Sequence, residues 1–161
     1  MILIRHAEKK ENNNTNTDSD LKEDQYKKIQ DKVKYLIKYY KNPPNYIISS
    51  PFLRTRKTSE AIQNYFLIKL KIYIPIIYDN QIGEYLGNQK NKEIKLEEET
   101  LKYNPIGIET WKEFINRISK IKFEKNNWYI THGIVIKNIL YINNINIPYP
   151  KYLDHYHILL K

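Results

Sequence analysis

Cysteine is missing from all 161 residues, which removes disulfides, thiolate metal sites and cysteine nucleophiles from consideration. No apolar run approaches the length of a membrane span, and the N-terminus has no signal-peptide hydrophobic region. The expectation is a soluble, cytoplasmic protein with no membrane partner. There is no internal repeat and no nucleic-acid motif, so nucleic acid is not expected as a partner. With neither cysteine nor a clustered aspartate pair, no metal site or cofactor is expected either.

What is present is ordinary for a globular chain: 41% hydrophobic and 28% charged residues, at a length that suits a single domain over residues 1–161. The net charge of +9 has two readings. One is an anionic partner. The other is compositional, because Lys, Asn, Ile and Tyr, all with AT-rich codons, are abundant together. The few arginines are more informative than the many lysines.

Met1 to Ile4 reads as a short buried strand, followed without a spacer by Arg5-His6. Such a pair is most often a solvated strand end, yet it also delivers two cation-capable side chains to the sheet mouth where α/β proteins bind ligands. Residues 9–20 are polar and aperiodic, a loop beside that mouth. Asp20 and Glu23 form a capping-box pattern that opens a helix carrying Tyr26, Ile29, Val33, Leu36 and Tyr40, stopped by Pro43-Pro44. Tyr46 to Ile48 is a second strand. Ser50 suits an N-cap and Pro51 the first helical position of the next helix, with Thr58, Ala61, Ile62, Tyr65 and Phe66 inward. Arg54 and Arg56 stand in its first turns, where the helix dipole disfavours cations; a bound anion would explain them.

Residues 72–78 read as a third strand, in which Pro75 argues for an edge position or a bulge. Residues 79–108 form an irregular excursion over the sheet mouth, either a lid or a solvated loop. Thr110 precedes a helix with Trp111, Phe114, Ile115, Ile118 and Ile121, and both Trp111 and Trp128 read as core. Trp128 to Ile130 is a strand that turns through Thr131-His132-Gly133 into a helix. Residues 142–153 connect to a last strand from His155. A metal on His155 and His157 is the weaker reading of that pair. Strands alternate with helices, so the fold class is α/β, a three-layer sandwich around a mostly parallel, doubly wound sheet.

Three strands thus end alike, in Arg5-His6, in Ser49 to Arg54 and in Thr131-His132-Gly133. As parallel neighbours they would bring two histidines and two arginines to one edge, with the helix N-termini near residues 51 and 133 aimed at the same place. Guanidinium forks, imidazoles and orphan amides suit a tetrahedral dianion. Neutral imidazole is a competent nucleophile near pH 7.

These residues carry a resemblance. Arg5-His6-Ala7-Glu8, Ser49-Ser50-Pro51-Phe52-Leu53-Arg54-Thr55-Arg56-Lys57-Thr58 and Thr131-His132-Gly133 resemble, in order and spacing, the three signature motifs of the histidine phosphatase superfamily, the phosphoglycerate-mutase-like branch 1. The likeness spans nearly the whole chain. It implies that His6 is the nucleophile that becomes phosphorylated, that Arg5 and Arg54 hold phosphoryl oxygens, and that His132 and Gly133 complete the phosphate pocket. It also implies an acid that protonates the leaving oxygen. Glu84, in Gln81-Ile82-Gly83-Glu84-Tyr85, matches best, with Glu8 and Glu109 as alternatives, and burial beside apolar neighbours would keep it protonated. The chain departs from the pattern in having Ala7 after the histidine and Asp24 where glycine is usual.

The resemblance implies a metal-independent phosphatase acting on a phosphorylated small molecule or phosphoprotein through a phosphohistidine intermediate. Mutase-type phosphoryl transfer would need insertions that this length does not accommodate. A catalytically silent phosphate-binding module is a further alternative, although such modules usually lose the nucleophile or an arginine.

Overall fold

A computed structural model describes residues 1–10, 18–87 and 109–159. Five strands form one sheet in the order β3-β2-β4-β1-β5: β1 Ile2–Arg5, β2 Ile47–Ser49, β3 Ile76–Tyr78, β4 Trp128–Thr131 and β5 His155–His157. The first four run parallel to their neighbours, and β5 alone is antiparallel, on β1. The described helices are α1 Gln25–Tyr40, α2 Leu53–Tyr65, α3 Trp111–Ser119 and α4 Gly133–Ile142. A five-residue π-helical stretch, Phe66–Leu70, continues α2.

The strands alternate their side chains between two apolar layers. Ile2, Ile4, Ile47, Trp128 and Ile130 pack with Ile29, Val33 and Leu36 of α1 and Ile62 of α2. Leu3, Ile48 and Tyr129 pack with Phe114 and Ile118 of α3 and Val135, Ile136 and Ile139 of α4. A sheet with both faces covered in this way is the expected α/β sandwich, mostly parallel. No helix of the described residues is long and apolar enough to cross a membrane.

Several element boundaries differ from expectation. Helix α1 starts at Gln25 rather than after Asp20, because Asp20 turns its carboxylate to the Leu21 N–H at 2.7 Å. A bridge between Lys9 and Leu21 also holds that stretch extended. With this start Tyr26 is 43% exposed, and Gln25 takes the buried position one turn before Ile29. Helix α2 starts at Leu53 without a cap from Ser50. The third strand keeps only Ile76–Tyr78, at the sheet edge, where the preceding Pro75 donates nothing and offers its carbonyl to Ile47 N–H at 3.0 Å. Trp111 is 46% exposed, set edge-on to Tyr85 and tilted against Phe114 rather than buried. Of the excursion 79–108, residues 79–87 belong to the described structure. A lid over 88–108 lies outside the described residues, as does most of the 9–20 loop.

Candidate active site

Strand register assembles the site. Arg5 lies opposite Thr131, and Ser49 opposite Ile130. The ladder continues one step further, with His6 N–H donating to Thr131 O and Ser50 N–H to Ile130 O, both at 2.9 Å. His6, Ser50 and His132 therefore leave the carboxyl ends of three adjacent strands side by side, where ligands bind in open α/β sheets. The rings of His6 and His132 lie 5.3 Å apart, inclined at 62°.

Each imidazole has a defined tautomer. The Nδ1 of His6 lies 2.7 Å from Ala7 O; a carbonyl only accepts, so Nδ1 carries the proton and Nε2 the lone pair. His132 receives the Arg54 Nη2 donor on Nδ1 at 3.3 Å, which leaves Nε2–H to donate to Ser50 Oγ at 2.9 Å. Both rings are fully buried, and burial, followed by the Arg54 charge, holds both pKa values well below the usual histidine range. Both are neutral at pH 7.

Arg54 is the hub. Burial lowers its pKa to about 10, so it remains a cation at neutrality. Nη1 donates to Asp18 Oδ1 at 3.3 Å, and Nη2 pairs with Glu84. The Asp18 carboxylate also accepts Leu53 N–H on both oxygens, at 2.8 and 2.9 Å. It thereby supplies the negative charge that the N-terminus of α2 favours. Thr58, one turn after Arg54, donates to Arg54 O and accepts Ala7 N–H at 3.1 Å, tying the His6 loop to α2.

Arg5 is held from the opposite side. Its guanidinium lies 4.0 Å from the Tyr152 ring centre and 5.1 Å from that of Tyr149, and Nη1 donates to Pro150 O at 2.5 Å. Among the described residues its buried Nε has no hydrogen-bond partner, so one donor of this cation is left for a further acceptor. Tyr152 also borders His6, with ring centres 5.6 Å apart. Gly133 opens α4, and a Cβ there would fall 2.7 Å from the Tyr149 ring.

The structure thus brings His6, Arg54, His132 and Glu84 together, with Arg5 and Gly133 at the borders. Glu84 is 31% exposed and ion-paired with Arg54, its Oε2 3.5 Å from His132 Nδ1. The apolar burial expected of it is not what surrounds it. Glu8 pairs with Lys22, and Glu109 with Arg117. His155 lies beside Lys32, not a metal-binding partner; among the described residues no three metal-ligating side chains group together.

Sequence reasoning missed Asp18, Ser50 as a histidine partner, Tyr149, Tyr152 and Arg117. Ser50 was masked by its fitness as a cap, and the tyrosines stand in an aperiodic connection. Arg117 had a signal, as a lone arginine among lysines.

Comparison with known proteins agrees with this picture. The family model for the histidine phosphatase superfamily (branch 1) matches residues 1–155. Comparison with curated protein sequences gives no match. Among solved structures, the ecdysone phosphate phosphatase of Bombix mori, in complex with tungstate, superposes with a TM-score of 0.65 at 13% identity, over 96% of this chain and 86% of its own. A mycobacterial glucosyl-3-phosphoglycerate phosphatase gives 0.54 at 15% identity, over 86% and 76%. The protein histidine phosphatase SixA, complexed with tungstate, gives 0.50 at 12% identity, over 86% and 72%. At these identities the likeness is one of fold.

Proposed function

Because the chain belongs to branch 1 of the histidine phosphatase superfamily, we propose that it is a phosphatase that hydrolyses a phosphomonoester or phosphoprotein through a phosphohistidine on His6. The observation that carries this reading is the His6 tautomer: Nδ1–H is fixed on Ala7 O, so Nε2 holds the lone pair of a neutral ring that lies 5.3 Å from the His132 ring and within the field of the Arg54 charge.

In the first step the Nε2 lone pair attacks phosphorus, and the bond from phosphorus to the ester oxygen breaks. The ring becomes an imidazolium, whose Nδ1–H bond to Ala7 O strengthens as charge develops. Arg54 and Arg5 stabilise the equatorial oxygens. Glu84 gives its proton to the departing oxygen. In the second step water attacks phosphorus, Glu84 takes the water proton, and the P–N bond breaks to restore neutral His6.

Glu84 must be protonated for the first step, although it is paired with Arg54 in the free protein. A phosphate dianion entering the pocket would compete for the guanidinium and place negative charge beside the carboxylate. Both effects favour the protonated carboxyl over the carboxylate. Mutase-type transfer and silent phosphate binding are the alternatives, and no observation favours either.

The test is hydrolysis of 4-nitrophenyl phosphate in EDTA by wild type and His6→Ala, with trapping of an acid-labile phosphoenzyme. Turnover and trapping by wild type alone are expected. A folded wild type that binds phosphate yet forms no phosphoenzyme would replace the reading with that of a binding module.

A further inference from the structure

We propose that Arg117, with Glu109 as its counter-ion, is a positioning residue for proton donation: it fixes the turn that presents Glu84. This inference rests on Glu84 being the acid.

Arg117 lies on α3, which makes no other polar contact with the candidate site among the described residues. Its Nη1 reaches three carbonyls of the turn at Asn80–Ile82 and just beyond: Gln81 O at 2.6 Å, Gly83 O at 3.1 Å and Asn80 O at 3.4 Å. The carbonyl between them, Ile82 O, accepts Thr131 Oγ1 at 2.6 Å. Four successive carbonyls are therefore held, three by α3 and one by the residue before His132. Glu84 is the next residue along the chain.

The other edge of the guanidinium meets both oxygens of Glu109, Nε at 3.0 Å from Oε2 and Nη2 on Oε1. Both side chains are nearly buried, 11% and 8% exposed. Buried ion pairs seldom add net stability, so this one invites an explanation other than stability. A planar fork suits it: one edge is neutralised by a carboxylate while the opposite end gathers carbonyls. An ammonium lacks that geometry. Gly83 makes the turn tight, since a Cβ there would stand 3.0 Å from Asn80 O. Glu109 is thereby occupied as a counter-ion to the clamp.

A merely structural anchor for α3 would slow all substrates alike when removed. A device acting through Glu84 would slow those that need a proton on the leaving oxygen, because small misplacement of a reacting group is costly. 4-Nitrophenolate departs readily without a proton, whereas the alkoxide of glycerol 2-phosphate does not. The experiment measures kcat/KM, which reports transfer from the ester to His6 and not the shared hydrolysis of the phosphoenzyme, for both substrates in wild type, Glu84→Gln, Arg117→Met, Arg117→Lys and the Glu84→Gln/Arg117→Met double variant.

Glu84→Gln should lower kcat/KM on the alkyl ester by ~10²-fold or more, and on the nitrophenyl ester by a several-fold smaller factor. Both Arg117 variants should show the same selectivity at about 10-fold on the alkyl ester. The double variant should be no slower on it than Glu84→Gln alone, since residues acting through one group are not additive. Equal losses on both substrates in the Arg117 variants, with Glu84→Gln still selective, would overturn the clamp alone. A double variant well below Glu84→Gln would do the same. An unselective Glu84→Gln would overturn the acid assignment and the clamp with it. Arg117→Lys keeps a charge opposite Glu109, so the comparison stands if Arg117→Met does not fold.

Discussion

His6 and His132 share a property that reaches beyond chemistry: both are buried, neutral and close to the Arg54 cation. In the unfolded chain a histidine takes up a proton near pH 6.5. In the native protein both pKa values lie well below that, so as pH falls under 6.5 the unfolded state binds protons that the native state refuses. Stability therefore falls with pH through this window, by up to about 1.4 kcal/mol per pH unit for each histidine. Above pH 7 the contribution is complete and flat. Urea unfolding of wild type between pH 7.5 and 5.5 should show this slope, and His132→Gln should show a shallower one whatever its absolute stability. An unchanged slope in the variant would mean that His132 is protonated in the native state. The same depression predicts that activity keeps its neutral nucleophile below pH 6.5, so the acid limb of kcat/KM should lie lower than a free imidazole would place it.

Helix α4 begins at Gly133, whose missing side chain leaves room for Tyr149. A methyl group there would press on the far end of the Tyr149 ring, a half-exposed side chain able to swing away. Gly133→Ala should therefore fold, because alanine is the better helix residue by up to ~1 kcal/mol. Its cost should fall on Tyr149 and so on one of the two rings that flank Arg5. A rise of a few-fold in KM for 4-nitrophenyl phosphate, with a smaller change in kcat, is expected. In a Tyr149→Ala background Gly133→Ala should add nothing. If it does add, the new methyl meets the phosphate directly. This contact also marks where sequence reading stops. The strand ends at Arg5-His6, Ser49-Ser50 and Thr131-His132 were legible because apolar runs break at polar pairs, and the start of α3 was legible at Thr110, where the structure adds Glu113 to complete a capping box. Asp18 was not legible as the cap of α2, because it reaches Leu53 across 35 residues of chain. Nor was Ser50, whose local preference for capping was overridden by the buried His132 nitrogen. The turn at 80–83 has local bonds, Gln81 N–H to Asp79 Oδ1 at 2.8 Å and Gly83 N–H to Asn80 O at 2.9 Å, but the side chains that hold its carbonyls, Arg117 and Thr131, are remote in sequence. Local signals locate the strand ends that carry the motifs; tertiary contacts decide what surrounds them.

At the scale of the molecule, the excess of nine positive charges is separable from the charges of the site. Arg54 is buried and Arg5 partly so, and such charges are little screened by salt. The lysines of α1, such as Lys27, Lys28, Lys34 and Lys38, are exposed and are screened beyond about 8–10 Å at physiological ionic strength. A small ester feels mainly the pocket, so its KM should rise only modestly between about 20 and 300 mM NaCl. An acidic phosphoprotein would meet the lysine surface as well, and electrostatic attraction across such a face falls steeply with salt. Measuring kcat/KM for 4-nitrophenyl phosphate and for an acidic phosphopeptide across that range therefore distinguishes the two readings of the charge. A much steeper decline for the peptide, reduced when Lys27, in the first turn of α1, is changed to Gln, would make the lysines part of recognition. Parallel, shallow declines would make the charge a consequence of composition, and would favour a small phosphomonoester as the substrate.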